Sequence, residues 1–334
     1  IPKATLAFIT YPTRFDTREA ERALKGSKIA VPALDSYAWR LWDYWERHLD
    51  PDLFIDRTLR GKIEGKVVVI TGGSSGIGKA AAVKIAEAGA KVVIAARGEE
   101  ELEATRKEIT DAGFLCYAYK ADLADLESCD NLVKQVHKDL GGIDVLINNA
   151  GRSIRRSIEL SFDRFHDFER TMQLNYFGSL RLIMQALPGM IAKRRGHIIN
   201  ISSIGVLASS PRFSAYVASK AALDAFSHCA QGELSGKGIS FTTINMPLVK
   251  TPMIAPTKMY DSVPTLTPEE AADLIIKAII DKPSRVATRL GVFAGVVHAV
   301  FPKAYEVVMS TAFELFPDSV KPRRRPMSKS LSHL

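Results

Sequence analysis

Tyr216 and Lys220 stand four residues apart in Ser214-Ala215-Tyr216-Val217-Ala218-Ser219-Lys220, and Ser203 lies thirteen residues before the tyrosine. On a helix that spacing puts phenol and amine on one face. A free tyrosine titrates near about 10, too high for efficient proton transfer at neutrality, and an ammonium beside it favours the phenolate and brings it down. The lysine is also suited to a ribose hydroxyl. A serine hydroxyl would hydrogen-bond a carbonyl oxygen, and Asn175 would hold a proton-supplying network through water. Such a set serves a carbonyl that accepts hydride. A tyrosine and a lysine at this spacing are common on surface helices, so the reading depends on a site for the hydride donor.

The turn Thr71-Gly72-Gly73-Ser74-Ser75-Gly76-Ile77-Gly78 supplies one. It follows the apolar run Lys66 to Ile70 and opens into a helical stretch, Lys79 to Ala88. Glycine tolerates positive φ and lets the backbone approach a pyrophosphate, whose charge is attracted by the free amides and dipole of a helix start. Asn148-Asn149-Ala150-Gly151 closes a later run, and the two elements together mark a dinucleotide site where a lone glycine turn would not. Cofactor choice is read at the end of the second run, where an acid would bind the adenosine ribose and repel a 2′-phosphate. Ala96 and Arg97 stand there instead. A guanidinium pairs with phosphate through two hydrogen bonds, which favours NADPH, with Glu99 and Glu100 opposing it nearby.

Short β-branched runs alternate with helical stretches from about residue 62 to 288, the pattern of an α/β, Rossmann-type, doubly wound parallel sheet. Lys66 to Ile70, Lys91 to Ala95, Leu115 to Tyr119, Val145 to Asn148, His197 to Ile201, Ser240 to Asn245 and Arg285 to Thr288 give seven strands. Helices such as Ala215 to Gly232 separate them, and ligands bind at the carboxyl ends of such strands. Residues 1–61 form an N-terminal helical extension that holds all three tryptophans, with Leu34, Ala38, Leu41, Trp42, Trp45 and Leu49 in one helical stripe behind an Asp35 cap. Residues 289–334 form a C-terminal apolar tail ending in basic residues. Its opening, Leu290 to Phe301, is too short to span a bilayer and reads as a buried helix, a lid over an apolar pocket, or an interfacial membrane contact.

A net charge of +8 suits acidic ligands, whether phosphorylated cofactors, nucleic acid or an anionic membrane. Lys321-Pro322-Arg323-Arg324-Arg325 carries part of it, as a solvated end or a peripheral membrane contact. No nucleic-acid-binding motif or aromatic platform accompanies it. Cys116, Cys129 and Cys229 show no paired spacing, so no zinc site or disulfide framework is expected, and a cytoplasmic setting fits. Cys229 reads as a core residue. The chain starts at Ile1 and reads as a piece of something longer.

These motifs resemble the short-chain dehydrogenase/reductase family over about residues 62–290. The resemblance implies a phosphate turn at Thr71, Gly72, Ser74, Ser75, Gly76, Ile77 and Gly78, an adenine side at Asp122 and Leu123, and further cofactor contacts at Asn149, Ala150 and Gly151. It implies Asn175, Ser203, Tyr216 and Lys220 as catalytic tetrad, Pro247, Val249 and Thr251 on the nicotinamide side, and a homo-oligomer. The usual Pro-Gly after the sixth strand is Pro247-Leu248 here. A narrower resemblance, through Arg152 to Ser157, Phe162 to Arg170 and Met246 to Lys258, is to bacterial fatty acyl-CoA reductases that form aldehydes. It implies a fatty acyl-CoA substrate and a further N-terminal reductase domain in the same polypeptide. Arg152, Arg155 and Arg156 then suit the phosphates of coenzyme A, or are a solvated basic loop. Met253 and Ile254, with Met259, Tyr260 and the tail, line an acyl channel or pack as ordinary core. A bulky-ketone or steroid reductase would use the same tetrad, and a non-catalytic dinucleotide-binding module would use only the glycine turn.

Overall fold

Every residue of the first strand is buried, and its side chains divide between two layers because successive residues of a strand face opposite ways. The computed structural model describes residues 16–29, 32–48, 56–254 and 263–315. A first compact unit, Ile1–Ile55, holds α1 (Arg18–Leu24) and α2 (Leu34–His48). The second, Asp56–Leu334, begins with α3 (Leu59–Ile63), β1 (Val67–Thr71), α4 (Gly76–Glu87), β2 (Lys91–Ala96), α5 (Glu99–Asp111), β3 (Cys116–Lys120), α6 (Leu126–Leu140) and β4 (Val145–Asn148). It continues with α7 (His166–Met172), a π-helical turn (Gln173–Gly178), α8 (Ser179–Ala192), β5 (Gly196–Ser203), α9 (Ile204–Ala208), α10 (Ser214–Leu234) and β6 (Ile239–Met246). It ends with α11 (Pro268–Asp281), β7 (Arg285–Ala287), α12 (Arg289–Val300) and α13 (Pro302–Leu315).

The seven strands form one sheet in the order β3-β2-β1-β4-β5-β6-β7, and every neighbouring pair is parallel. Parallel strands need crossovers, so helices cover both faces and the strands become continuously apolar. Val68, Ile70, Ile147 and Ile199 pack with Ala81 and Ile85 of α4 and Ile275 and Ile279 of α11. Val67, Val69, Leu146 and Ile198 pack on the other side with Val133 of α6, Ile183 of α8 and Leu223 of α10. The strand order reverses between β1 and β4, so a crevice opens at their carboxyl ends, where both the glycine turn and the NNAG element emerge.

Strand ends differ from the sequence reading by a residue or two, and β5 extends to Ser203 itself. Asp35 lies inside the first turn of α2 rather than before it, where its charge still faces the positive end of the helix. Burial of α12 is overturned: Leu290, Phe293, Val296 and Val300 share one outward face, and only Gly291 is buried. The close side is built from glycine, because a Cβ on Gly291 would stand 3.0 Å from Ile204 Cγ1 of α9. Cys229 is exposed on α10, not core. No described helix is long and apolar enough to cross a membrane. Leu49, Met259, Tyr260 and the basic stretch at 321–325 lie outside the described residues.

Candidate active site

The glycine turn is built around Thr71, the last residue of β1. Its hydroxyl accepts from the N–H groups of Asn149 and Ala150 at 3.0 Å each. Asn149 Nδ2 returns two bonds, to the carbonyls of Thr71 and Gly72 at 2.9 and 3.2 Å. The two elements read separately from sequence are therefore one hydrogen-bonded unit. Gly72 takes φ +64° and Gly76 φ +52°. A Cβ on Gly78 would stand 2.2 Å from the Gly72 carbonyl oxygen, so no other residue fits without moving the turn. Ser75 precedes α4 without capping it, which leaves first-turn amides for an anion, and the Ser74 carbonyl is tied to the Thr105 hydroxyl at 3.1 Å. Ile77 lies in the first turn of α4 and packs on the core.

Arg97 is exposed just past β2. Glu99, which opposes it in sequence, starts α5 and pairs with Lys120 at 2.9 Å. Asp122 is exposed after β3, with one carboxylate oxygen accepting from the Ala124 N–H. Leu123 is buried, and its carbonyl lies so close to Gly178 that a Cβ there would stand 2.1 Å away. On the other side of the crevice Thr251 faces the phosphate turn, its methyl 3.2 Å from where a Gly76 Cβ would lie. The loop after Pro247 is held by a parallel bridge between Val249 and Leu266, with the Leu248 carbonyl accepting from the Leu266 N–H at 2.9 Å. A glycine after Pro247 is not needed for this path.

The tetrad residues come from three elements. Asn175 sits in the π-helical turn, whose wider backbone re-aims one side chain inward. It is fully buried. Its Oδ1 accepts from the Arg152 N–H at 2.8 Å, and Nδ2 donates to the Arg152 carbonyl and to Ser219 Oγ at 2.9 Å each. Both amide donors are thus spent within the protein. Ser219 Oγ donates to the Tyr216 carbonyl at 2.7 Å, so Asn175 is tied to the tyrosine helix through a serine that sequence reading missed. Ser203 ends β5 and caps α9: its Oγ accepts from the Gly205 N–H at 3.1 Å, which leaves its own proton to donate. Its carbonyl accepts from Asn245 Nδ2, and Asn245 Oδ1 accepts from Arg285, at 3.1 and 2.7 Å.

Lys220 is buried one helical turn beyond Tyr216 and donates to the Ile201 carbonyl at 2.6 Å. Burial pushes its ammonium down from 10.5 to about 8. Gly151 makes room for it, since a Cβ there would be 3.3 Å from both Lys220 Nζ and Asn175 Oδ1. Cys116 and Cys129 are buried and pushed up to about 12, which keeps both as inert thiols.

A pocket of about 520 Å³ is lined by Ile158, Pro211, Arg212, Ser214, Val217 and Phe313 among others; Ser214 and Val217 flank Tyr216 on α10, and no tetrad residue stands in its wall. Val217 follows Tyr216, and its methyl lies beside Gly205 next to Ser203. Phe313 comes from α13, which Arg212 holds by a bond to the Phe313 carbonyl at 3.0 Å and by its guanidinium over the ring at 3.9 Å. The tail therefore lines the pocket, but Met253 and Ile254 do not: they sit on the turn after Thr251, with Met253 half exposed. Arg152, Arg155 and Arg156 are half-buried rather than a solvated loop. Arg156 ion-pairs with Asp167 at 3.3 Å, as do Arg164 at 3.0 Å and Arg170. Burial raises the Asp167 carboxyl, but hydrogen bonds from Arg164 and Arg170 outweigh it and hold the group below its usual range.

A parallel seven-stranded sheet with a glycine-rich first crossover and a Ser/Tyr/Lys set at its carboxyl edge is the build of a dinucleotide-dependent oxidoreductase. Residues 66–260 match the short chain dehydrogenase family, and the chain belongs to the short-chain dehydrogenases/reductases. It is 55% identical to a fatty acyl-CoA reductase of Acinetobacter baylyi over 79% of this chain and 90% of that one. A fatty acyl-CoA reductase of Mycobacterium tuberculosis is 45% identical over 78% of this chain and 90% of its own length. A crystal structure of a metagenomic short-chain oxidoreductase in complex with NADP superposes with a TM-score of 0.59 at 29% identity, covering 68% of this chain and 98% of that one. A nicotinamide dinucleotide cofactor follows from the family and fits the glycine cradle described above.

Proposed function

We propose that the protein reduces a long-chain fatty acyl-CoA to the fatty aldehyde with release of coenzyme A, using NADPH. The observation that carries the reading is the pocket walled by Ser214 and Val217 of the Tyr216 helix and by Phe313, in a chain with fatty acyl-CoA reductases among its relatives. The turn from Thr71 to Gly78, with Asn149, Ala150, Gly151 and Arg97, would hold NADPH, which would supply hydride to the thioester carbon. The protein's own work is at the oxygen. Ser203, whose Oγ already accepts from Gly205, donates to the developing oxyanion, and Tyr216 donates the proton that completes the hemithioacetal. Lys220 remains charged below about pH 8 and favours the tyrosinate that proton donation leaves behind. As the carbon–sulfur bond breaks, the hydroxyl proton returns to Tyr216 and the thiolate departs as coenzyme A.

The arginines around Asp167 support a thioester with a phosphorylated carrier, because three guanidiniums share one carboxylate. The outward apolar face of α12, followed in sequence by Lys321, Arg323, Arg324 and Arg325, supports seating at an anionic lipid surface from which such a substrate would come. Co-sedimentation with phosphatidylglycerol vesicles but not phosphatidylcholine vesicles is the expected result there.

The decisive experiment follows NADPH consumption with a long-chain acyl-CoA while free thiol and aldehyde are measured in the same reaction. One thiol per aldehyde is expected, falling about 10²- to 10⁴-fold in Tyr216→Phe with NADPH binding kept. A folded, NADPH-binding protein that reduces a bulky ketone and releases no thiol from any acyl-CoA would overturn the proposal.

A further inference from the structure

The opposite edge of the sheet, where β1, β4 and β5 begin, holds a second cavity of about 270 Å³. Lys62, Lys66, Arg195 and Lys282 line it against two carboxylates, Asp144 and Asp281, so its walls carry surplus positive charge. The ammonium groups crowd one another. Burial lowers the Lys282 amine first, and Lys66 and Lys62 lower it further by repulsion. Lys282 also sits at φ +48°, a backbone conformation that a non-glycine residue adopts at some cost. Like charges gathered around a cavity raise the energy of the empty site and are relieved by an anion.

His197 lines the same cavity and is 2% exposed. Its Nε2 lies 2.9 Å from Thr242 Oγ1, and that hydroxyl spends its own proton on the Pro283 carbonyl at 2.6 Å. Thr242 can therefore only accept from His197, which puts the imidazole proton on Nε2 and leaves Nδ1 as a bare acceptor. Nδ1 has no hydrogen-bond partner. Burial, with Lys282 next, pushes the imidazole down to about 3, so it stays neutral and cannot gain a second proton at ordinary pH. Asp144 repeats the pattern: Oδ2 accepts from the Val67 N–H at 3.0 Å, while buried Oδ1 has only Arg195 in range, at 3.5 Å.

We infer that this cavity binds a protonated oxyanion of the phosphate class, hydrogen phosphate or a phosphate monoester, at the edge of the sheet opposite the candidate active site. Cations alone would suit any anion. Buried acceptors without donors add a requirement for a ligand that brings its own hydroxyl proton, and a P–OH does so where sulfate at neutral pH has none. Lys62, Lys66 and Lys282 take the charged oxygens, and His197 Nδ1 or Asp144 Oδ1 takes the P–OH. The site draws on residues from 62 to 282, so occupancy ties α3 and the end of α11 to the sheet and stabilises the native state by mass action.

The test is thermal unfolding and calorimetric titration of the full chain with inorganic phosphate, sulfate and chloride at matched ionic strength and pH 7. The expected result is a saturable rise in Tm with phosphate, with a Kd on the order of millimolar, and at least about fivefold weaker binding of sulfate. Lys62→Gln with Lys282→Asn should abolish the phosphate response, and should raise the Tm of the phosphate-free protein by removing the repulsion. Arg97→Gln, which alters the cofactor crevice, should leave the response intact. Equal shifts from chloride, a response kept in the Lys62/Lys282 variant, or one lost in Arg97→Gln would overturn the proposal. Sulfate binding as tightly as phosphate would overturn the assignment of a protonated ligand.

Discussion

Replacing Lys220 by methionine should make the protein more stable at neutral pH while removing its activity, and the size of the gain should depend on pH in a defined way. The amine is fully buried, and burial alone is what lowers it from 10.5 to about 8. At about 1.36 kcal/mol per pKa unit, keeping the ammonium charged in the fold costs about 3 kcal/mol. The folded pKa lies below the unfolded one, so between about pH 8 and 10.5 the unfolded chain binds more protons and wild-type stability rises with pH. Below about pH 8 both states are charged and the full cost is present. Lys220→Met removes the cost and also the bond to the Ile201 carbonyl, worth about 1.5–3 kcal/mol for a charged donor, so its net gain at pH 7 is about 0–2 kcal/mol. The pH slope is cleaner than the offset. From pH 7 to 9.5 the wild type should gain about 2 kcal/mol on the variant, since every other group titrates in both. Urea unfolding of the cofactor-free proteins at the two pH values measures it. A difference that stays constant within about 0.5 kcal/mol would mean that Lys220 is not a desolvated cation, and the electrostatic account of Tyr216 would lose its basis.

Three further outcomes follow from positions already described. Gly78→Ala forces a methyl to 2.2 Å from the Gly72 carbonyl, so it should cost about 1–3 kcal/mol in unfolding and weaken NADPH binding at least tenfold by fluorescence titration. Ala96→Asp places a carboxylate at the end of β2 and should move the ratio of kcat/KM values toward NADH by about tenfold or more; an unmoved ratio would remove Arg97 from the 2′-phosphate. Arg170→Gln leaves Arg156 and Arg164 on Asp167, so the fold should persist. It should raise KM for an acyl-CoA severalfold without changing turnover of the matching acyl-pantetheine thioester, which carries no adenosine phosphates.

How far the sequence reveals this molecule depends on how local each cause is. The seven strands were readable because burial on both faces demands unbroken β-branched runs, and such runs as Val67 to Thr71 have no other ready use. The glycine turn and the Tyr216–Lys220 pair were readable because each is fixed by spacing within one element. Asn175 was expected to hold a proton-supplying network, but the Arg152 and Ser219 partners that occupy its amide were not readable. Its π-helical turn has no signature of its own, and it arises where Gly178 must pass the Leu123 carbonyl, a contact across more than fifty residues. Phe313 shows the same limit: nothing near it in sequence marks it as facing Ile158 and Val217, and the latch that brings it there belongs to Arg212.

The parallel sheet accounts for both kinds of outcome. It gathers strand ends from distant parts of the chain at two edges, and it gives the two edges opposite character. At the carboxyl edge crossovers open into helix starts with amides for a cofactor. At the other edge helix ends and strand starts meet, and Lys62, Lys66 and Lys282 converge with no signal in their own surroundings. Strand β5 joins the two, with Ser203 at one end and His197 at the other. A polar residue inside such a strand has to be satisfied by the sheet or by a ligand, since water does not reach it. Ser203, half-exposed at the end of the strand, accepts from the Gly205 N–H and keeps its own proton to donate. His197 meets half of that condition through Thr242, and the unpaired half is what directs attention to an edge of the fold that the glycine turn and tetrad leave unused.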